Sequence, residues 1–363
     1  QIDKLKLKTM SALSSFIACP NVQLSLFDSF GYDNLKAEPL PLLSFILSAQ
    51  NRSEVIQNQI NFRDHGRKTV EVVYGQRFLE SMVQDGGRVT CGTFANDGET
   101  SVLYSLTASD GYHVGFKLTA SELEERCEQD SAYIAREIFK MMDVLTRKVA
   151  TNAAIQLIAN SGNFASDVDA GNPAGTTSFL PVDTLVLGAP VTEAIEEIGF
   201  QNMSNDFTQM PFVFGGEKWY KYLKALNAIA PGAFNDAGVS NSLYLSQAGV
   251  SFGYDRRIQL NATNALDALA VIPGAVQMIS FNEFKGILEL NDSTLVQGTL
   301  QHPDPTLPLT FDYRAEYTCS GADQKVWNFE ISLNHDFIFL PADMYQAGDR
   351  LEGVNGILTF RSN

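Results

Sequence analysis

Short apolar stretches broken by turn residues open the chain. Over residues 1–50 the breaks include Cys19-Pro20-Asn21 and Glu38-Pro39-Leu40-Pro41. Proline removes a helical hydrogen bond and biases the residue before it away from the helical region, so no continuous helix is expected and the segment reads as an extended arm. From Lys68 the pattern turns strand-like: Thr69-Val70-Glu71-Val72-Val73-Tyr74 is rich in β-branched residues with partial alternation. Asp85-Gly86-Gly87 supplies residues that tolerate the positive φ of a reversal. Val102 to Leu106 and Tyr112 to Phe116, separated by Ser109-Asp110-Gly111, complete a long excursion of β-hairpins.

The periodicity then changes to that of a helix. Thr119 or Ser121 is placed as an N-cap, with Glu122 and Glu124 to complete a capping box. Apolar positions follow at Leu123, Cys127, Ile134, Ile138, Met141, Leu145, Val149 and Ala153, and Asn160-Ser161-Gly162 provides the stop. Forty-odd residues at 1.5 Å each would reach roughly 60 Å. The spacings are not a strict heptad, so the rod reads as a brace inside a broad subunit rather than as a coiled coil.

Beyond a loop at 163–177 the elements are mixed. Pro190 to Ile198 is expected as a short helix, Phe212 to Phe214 as a strand and Gly216 to Leu226 as an amphipathic helix. Ser242 to Leu245, Ala268 to Ile272 and Val276 to Phe281 are further strands, the last two flanking a Pro273-Gly274 turn. Leu309 to Thr318 and Val326 to Leu333 alternate as a hairpin joined through Ser320 to Asp323.

Composition adds bounds. The 363 residues are 45% hydrophobic and 19% charged. That exceeds the roughly 250–300 residues over which one core grows, so two or more lobes are expected. No apolar run approaches the roughly 18 residues that cross a bilayer, so no membrane association is expected, and the N-terminus lacks the core and cleavage site of a signal peptide. Four scattered cysteines, Cys19, Cys91, Cys127 and Cys319, suggest reduced thiols and cytoplasmic synthesis. A net charge of −16 argues against general nucleic-acid binding. The local exception is the terminus, where Lys4, Lys6 and Lys8 are offset only by Asp3.

Candidate chemistry is sparse, and no cofactor or metal is implied. There is no phosphate loop, no histidine pair at metal spacing and no nucleophile elbow. His65, His113, His302 and His335 sit in unrelated contexts, each explained by an ordinary surface or strand position. Asp167 to Asn172 starts like a calcium loop, but Ser178 stands where the closing glutamate belongs. Asp255-Arg256-Arg257 reads as an exposed or intersubunit ion pair. Glu193, Glu196 and Glu197 are the acidic residues that an α/β enzyme or sugar-binding module could place at a cleft.

The order of elements carries a resemblance. An arm, a β excursion, a very long helix, a mixed lobe and a return to long strands resembles the Hong Kong 97-type major capsid fold of tailed bacteriophages. Phe212-Val213-Phe214-Gly215-Gly216 leading into Trp219 to Leu226 looks like the strand and helix of an axial domain, and Ala270 to Gln277 like the exit from it. The resemblance implies an α+β chain: N-terminal arm 1–50, extended β-hairpin E-loop with flanking strands 51–118, spine helix of the peripheral domain 119–162, α/β axial domain 163–275, and peripheral strands with the C-terminus 276–363. It implies E-loop contacts between subunits through Arg77, Phe78, Leu79, Glu80, Met82 and Arg88. Implied partners are the chain itself in hexamers and pentamers, a portal, and decoration or scaffolding proteins, around double-stranded DNA held without sequence-specific binding. The implied place is the virion, after assembly in the host bacterial cytoplasm. Some such shells crosslink an asparagine to a neighbour's lysine. Asn355-Gly356 reads instead as turn chemistry, since no lysine lies between Arg77 and Arg88. The alternatives are an encapsulin-like nanocompartment shell, which shares this fold in resemblance, and the enzyme or binding module above.

Overall fold

Proline is compatible with the start of a helix, and the first helix uses it. In the computed structural model, the described residues are 39–49, 69–75, 101–107, 110–119, 130–162, 180–182, 185–186, 189–190, 193–207, 209–217, 219–222, 235–236, 244–247, 250–261, 268–283, 295–304, 306–320, 324–339 and 353–362. Helix α1 spans Pro41–Ala49. Pro41 occupies its first position, where the absent N–H would have had no helical partner and φ is already suitable. Residues 41–49 are therefore helical, not an extended arm, and Leu42, Leu43 and Ile46 are fully buried.

Strands β1 (Thr69–Gly75), β2 (Ser101–Thr107) and β3 (Asp110–Thr119) come next. Thr119 closes β3, paired with Val326; Ser121, Glu122, Leu123, Glu124 and Cys127 lie outside the described residues. Helix α2 spans Asp130–Ala159, 30 residues or roughly 45 Å. Its stripe Ile134, Ile138, Met141, Leu145, Val149 and Ala153 is buried, as the periodicity requires. At its end the Asn160 N–H and side-chain amide both donate to the Gln156 carbonyl, at 2.9 and 2.8 Å.

The remaining elements are β4 (Leu180–Val182), β5 (Leu185–Val186), β6 (Ala189–Pro190), α3 (Glu193–Ser204), β7 (Phe212–Gly215), β8 (Asn235–Asp236), β9 (Tyr244–Gln247), β10 (Val250–Tyr254), α4 (Arg256–Asn261), β11 (Ala268–Val271), β12 (Val276–Phe281), β13 (Leu295–Gln301), β14 (Thr310–Ser320), β15 (Gln324–Phe339) and β16 (Ile357–Ser362). The helix expected from Pro190 starts at Glu193 instead, because Ala189 and Pro190 pair with β5. Of the helix expected over 216–226, residues 217 and 219–222 are helical, and the Tyr220 N–H donates to the Gly216 carbonyl at 3.0 Å.

The chain divides into two compact units. The first comprises 1–40, 108–149 and 279–336, and its described core is one face of a β-sheet plus the first two-thirds of α2. The sheet has strand order β12-β15-β14-β13, with β3 also paired to β15. Along β15 the buried residues Phe329, Ile331, Leu333 and His335 alternate with half-buried ones, as a sheet with one covered face demands. The antiparallel β3–β15 register brings Phe116 opposite Phe329, their rings stacked at 4.7 Å. The expected hairpin of β14 and β15 is present, from Asp312↔Ser332 to Ser320↔Gln324.

The second unit comprises 41–107, 150–278 and 337–363. Its sheet has seven strands in the order β4-β16-β11-β7-β10-β9-β8, parallel at β4–β16 and β7–β10 and otherwise antiparallel. Ala268 to Val271 and Ile357 to Phe360 are buried without alternation, the mark of strands covered on both faces. The C-terminal strand β16 thus belongs with β7, β10 and β11. Between β11 and β12 the Ala275 N–H donates to the Ile272 carbonyl at 3.0 Å, and Gly274 has φ 83°. Proline second and a positive-φ glycine third define a type II turn. It is not a hairpin turn, because β11 and β12 enter different sheets.

Candidate interaction surface

Two strands pair only with each other among the described residues. Strands β1 and β2 pair from Thr69↔Thr107 to Gly75↔Ser101. Since successive residues of a strand alternate faces, this register assigns each position a side. Val70, Val72 and Tyr74 share one face with their partners Leu106, Tyr104 and Val102. The other face carries Thr69, Glu71, Val73 and Gly75 with Thr107, Ser105, Leu103 and Ser101. In sequence the first set of positions is wholly apolar and the second largely polar. The contact residues expected from resemblance, Arg77, Phe78, Leu79, Glu80, Met82 and Arg88, lie outside the described residues, as do Lys4, Lys6 and Lys8. The six aligned apolar positions were missed in the sequence because alternation in each strand is imperfect, and only the register aligns the two half-patterns.

Close packing shapes the corner where β7 and β10 end. Phe45 of α1 meets the rings of Phe212 and Phe214 at 4.9 and 5.4 Å, and Trp219 meets Tyr222 and Phe252 at 5.0 and 6.1 Å. A Cβ on Gly215 would fall 2.5 Å from Trp219 side-chain carbons, so only glycine lets the indole seat there. The Asp255 N–H then donates to the Gly215 carbonyl at 3.0 Å, which turns the chain from β10 into α4.

That turn buries the charge pair noted in the sequence. The Asp255 carboxylate accepts the Arg257 N–H at 3.0 Å and its guanidinium at 3.3 Å, with Asp255 2% and Arg257 4% exposed. The Asp255–Arg257 pair is thus buried within the chain rather than exposed, at the β10–α4 corner. Arg256 is on the exposed side. Burial pushes the Asp255 carboxyl up from its ordinary value, outweighing Arg257 and the Leu42 backbone amide, which act the other way.

Asn355 also works inside the chain. Its side-chain N–H donates to the Asn160 carbonyl at 2.5 Å and its side-chain oxygen accepts the Ile357 N–H at 3.1 Å. Both ends of the amide are committed, consistent with turn chemistry.

Three large apolar side chains are exposed on α3 and the segment after it: Phe200, Met203 and Met210. Val144 and Ile155 are exposed on α2. Of the histidines, His113 is exposed on β3, His335 is fully buried on β15 with its ring 5.1 Å from Tyr112, and His302 packs against Phe311; His65 lies outside the described residues. Among the described residues no group of three or more His, Cys, Asp or Glu could hold a metal ion, and no helix is long and apolar enough to cross a membrane. Glu193, Glu196 and Glu197 fall on α3.

No family model matches the chain. No curated protein matches it either. Among solved structures it is similar to one titled Mycobacterium phage Adephagia, at 10% identity, covering 88% of this chain and 90% of that one with a TM-score of 0.46. It is similar to the asymmetric unit of the bacteriophage PhiM1 mature capsid, at 8% identity, covering 86% and 89% with a TM-score of 0.46. A third similarity is to the capsid structure of the cyanophage P-SCSP1u, at 10% identity, covering 82% and 84% with a TM-score of 0.44.

Proposed function

We propose that this chain is a non-enzymatic shell subunit, the major capsid protein of a tailed phage, that assembles with copies of itself into hexamers and pentamers enclosing double-stranded DNA. The observation that carries this reading is the β1–β2 ribbon. Two strands alone are marginal in water, and the register aligns six apolar positions, Val70, Val72, Tyr74, Val102, Tyr104 and Leu106, whose burial against a further surface would stabilise the pair. A second copy supplies that surface, and rotational symmetry lets every copy both give and receive the contact.

The element order supports the same reading: ribbon, long α2, a lobe built on the seven-stranded sheet, and the β13 to β15 strands. In this reading residues 77–88 and the basic terminus at Lys4, Lys6 and Lys8 extend the contact. A subunit of net charge −16 suits a container that must release its genome, since a basic wall would hold DNA through many counterion-releasing contacts.

Electron microscopy of the purified chain, with its mass distribution in solution, tests the proposal. Rings of five or six subunits, or closed shells, are expected. Val72→Lys on the apolar face should abolish them, whereas Ser105→Lys on the opposite face should not. A folded chain that stays monomeric at all concentrations would overturn the reading.

A further inference from the structure

The turn between β13 and β14 is held by a histidine that must be neutral to hold it. His302 begins the turn, and its N–H donates to the Leu309 carbonyl at 2.8 Å. Its ring nitrogen Nδ1 accepts the Asp304 N–H at 3.1 Å. The Asp304 carboxylate is committed forward, accepting the Thr306 N–H at 2.9 Å and the Thr306 hydroxyl at 2.8 Å, and the Leu307 N–H donates to the Asp304 carbonyl at 3.1 Å. The imidazole rests against Phe311, ring centroids 6.2 Å apart.

An imidazole nitrogen accepts a hydrogen bond only through its lone pair, and imidazolium has none free. Protonating His302 therefore sets an N–H against the Asp304 N–H and breaks the contact. We propose that the His302–Asp304 turn is a proton-sensitive latch: closed when His302 is neutral, and released on protonation, when the imidazolium turns towards carboxylate oxygens. The charged groups facing His302 among the described residues are Asp304 of its own turn and Asp143 of α2, whose carboxylate also pairs with Arg147 at 2.8 Å. Burial holds the imidazole below its ordinary value, and the two aspartates pull the other way. The latch thus stays closed while the imidazole is neutral and opens on acidification, and the two carboxylates would exchange part of their present bonding for the cation. The proposal does not depend on the shell reading.

Hydrogen-exchange mass spectrometry of the full chain, followed on peptides covering 302–309 from pH 8 to pH 5 and corrected for intrinsic exchange, is the test. Protection should be lost through a single step as the pH falls, as the titration of one group requires. His302→Asn keeps an acceptor near the Nδ1 position but does not titrate, so its turn should stay protected across the range. Asp143→Asn removes an anion that favours the cation, so the step should move to lower pH. A wild-type turn whose protection shows no step, a step that persists in His302→Asn, or one that Asp143→Asn leaves in place would overturn the proposal.

Discussion

The side-chain amide of Asn355 donates to the carbonyl oxygen of Asn160 across 195 residues of sequence. It ties the segment before β16 to the end of α2, where the last helical carbonyls have no partner of their own. The Gly162 N–H completes the seam by donating to the Ile357 carbonyl at 3.0 Å. Asn355→Ala leaves two backbone groups without a partner and should cost about 1–3 kcal/mol. Urea unfolding of wild type and variant checks this through the shift in midpoint at constant slope.

Gly215 and Gly298 make a matched pair. A Cβ at Gly215 meets Trp219 at 2.5 Å, while one at Gly298 meets nothing within 4 Å. Gly215→Ala should destabilise by about 1–3 kcal/mol through overpacking, and Gly298→Ala should be neutral or stabilise by up to about 1 kcal/mol by restricting the unfolded chain. Thermal unfolding of both variants separates the two; equal effects would contradict the packing at Trp219.

Asp255 predicts a pH dependence of definite sign. Its folded carboxyl titrates above its unfolded value, so the folded state binds the proton more tightly. Stability from this group is greatest below the unfolded value, near about 3.9, and is lost as pH rises through the folded one. Asp255→Asn removes that dependence. The stability of wild type relative to the variant should therefore improve as pH falls from 7 towards 4, measured by denaturant titration at each pH.

Helix α3 ends on a non-glycine residue in the left-handed region, Asp206 at φ 60°. The Asp206 N–H donates to the Met203 carbonyl at 3.0 Å and the Phe207 N–H to that of Asn202 at 3.3 Å, the bond pair of a Schellman cap. Glycine carries no Cβ penalty there, so Asp206→Gly should raise stability by up to about 1 kcal/mol. A lower melting temperature would show that the aspartate contributes more than its backbone costs.

Local pattern alone was enough for several elements. The stripe from Ile134 to Ala153, the turn at Pro273-Gly274, the strand at Val276 and the β14–β15 hairpin follow from spacing and turn chemistry, because each depends on neighbours a few residues away. Pro41 misled because a proline that forbids a helix interior is at home in its first turn, and only burial of Leu42, Leu43 and Ile46 shows that a helix forms. Tertiary structure also decided what the charged and apolar groups do. Asp255 and Arg257 looked like surface charges until the β10–α4 corner enclosed them, and the apolar positions of β1 and β2 align only in the register that sets Val72 opposite Tyr104. Sequence determines the period of each element. Which face is covered, and by what, depends on partners far along the chain, and that pairing is settled only when the whole core packs.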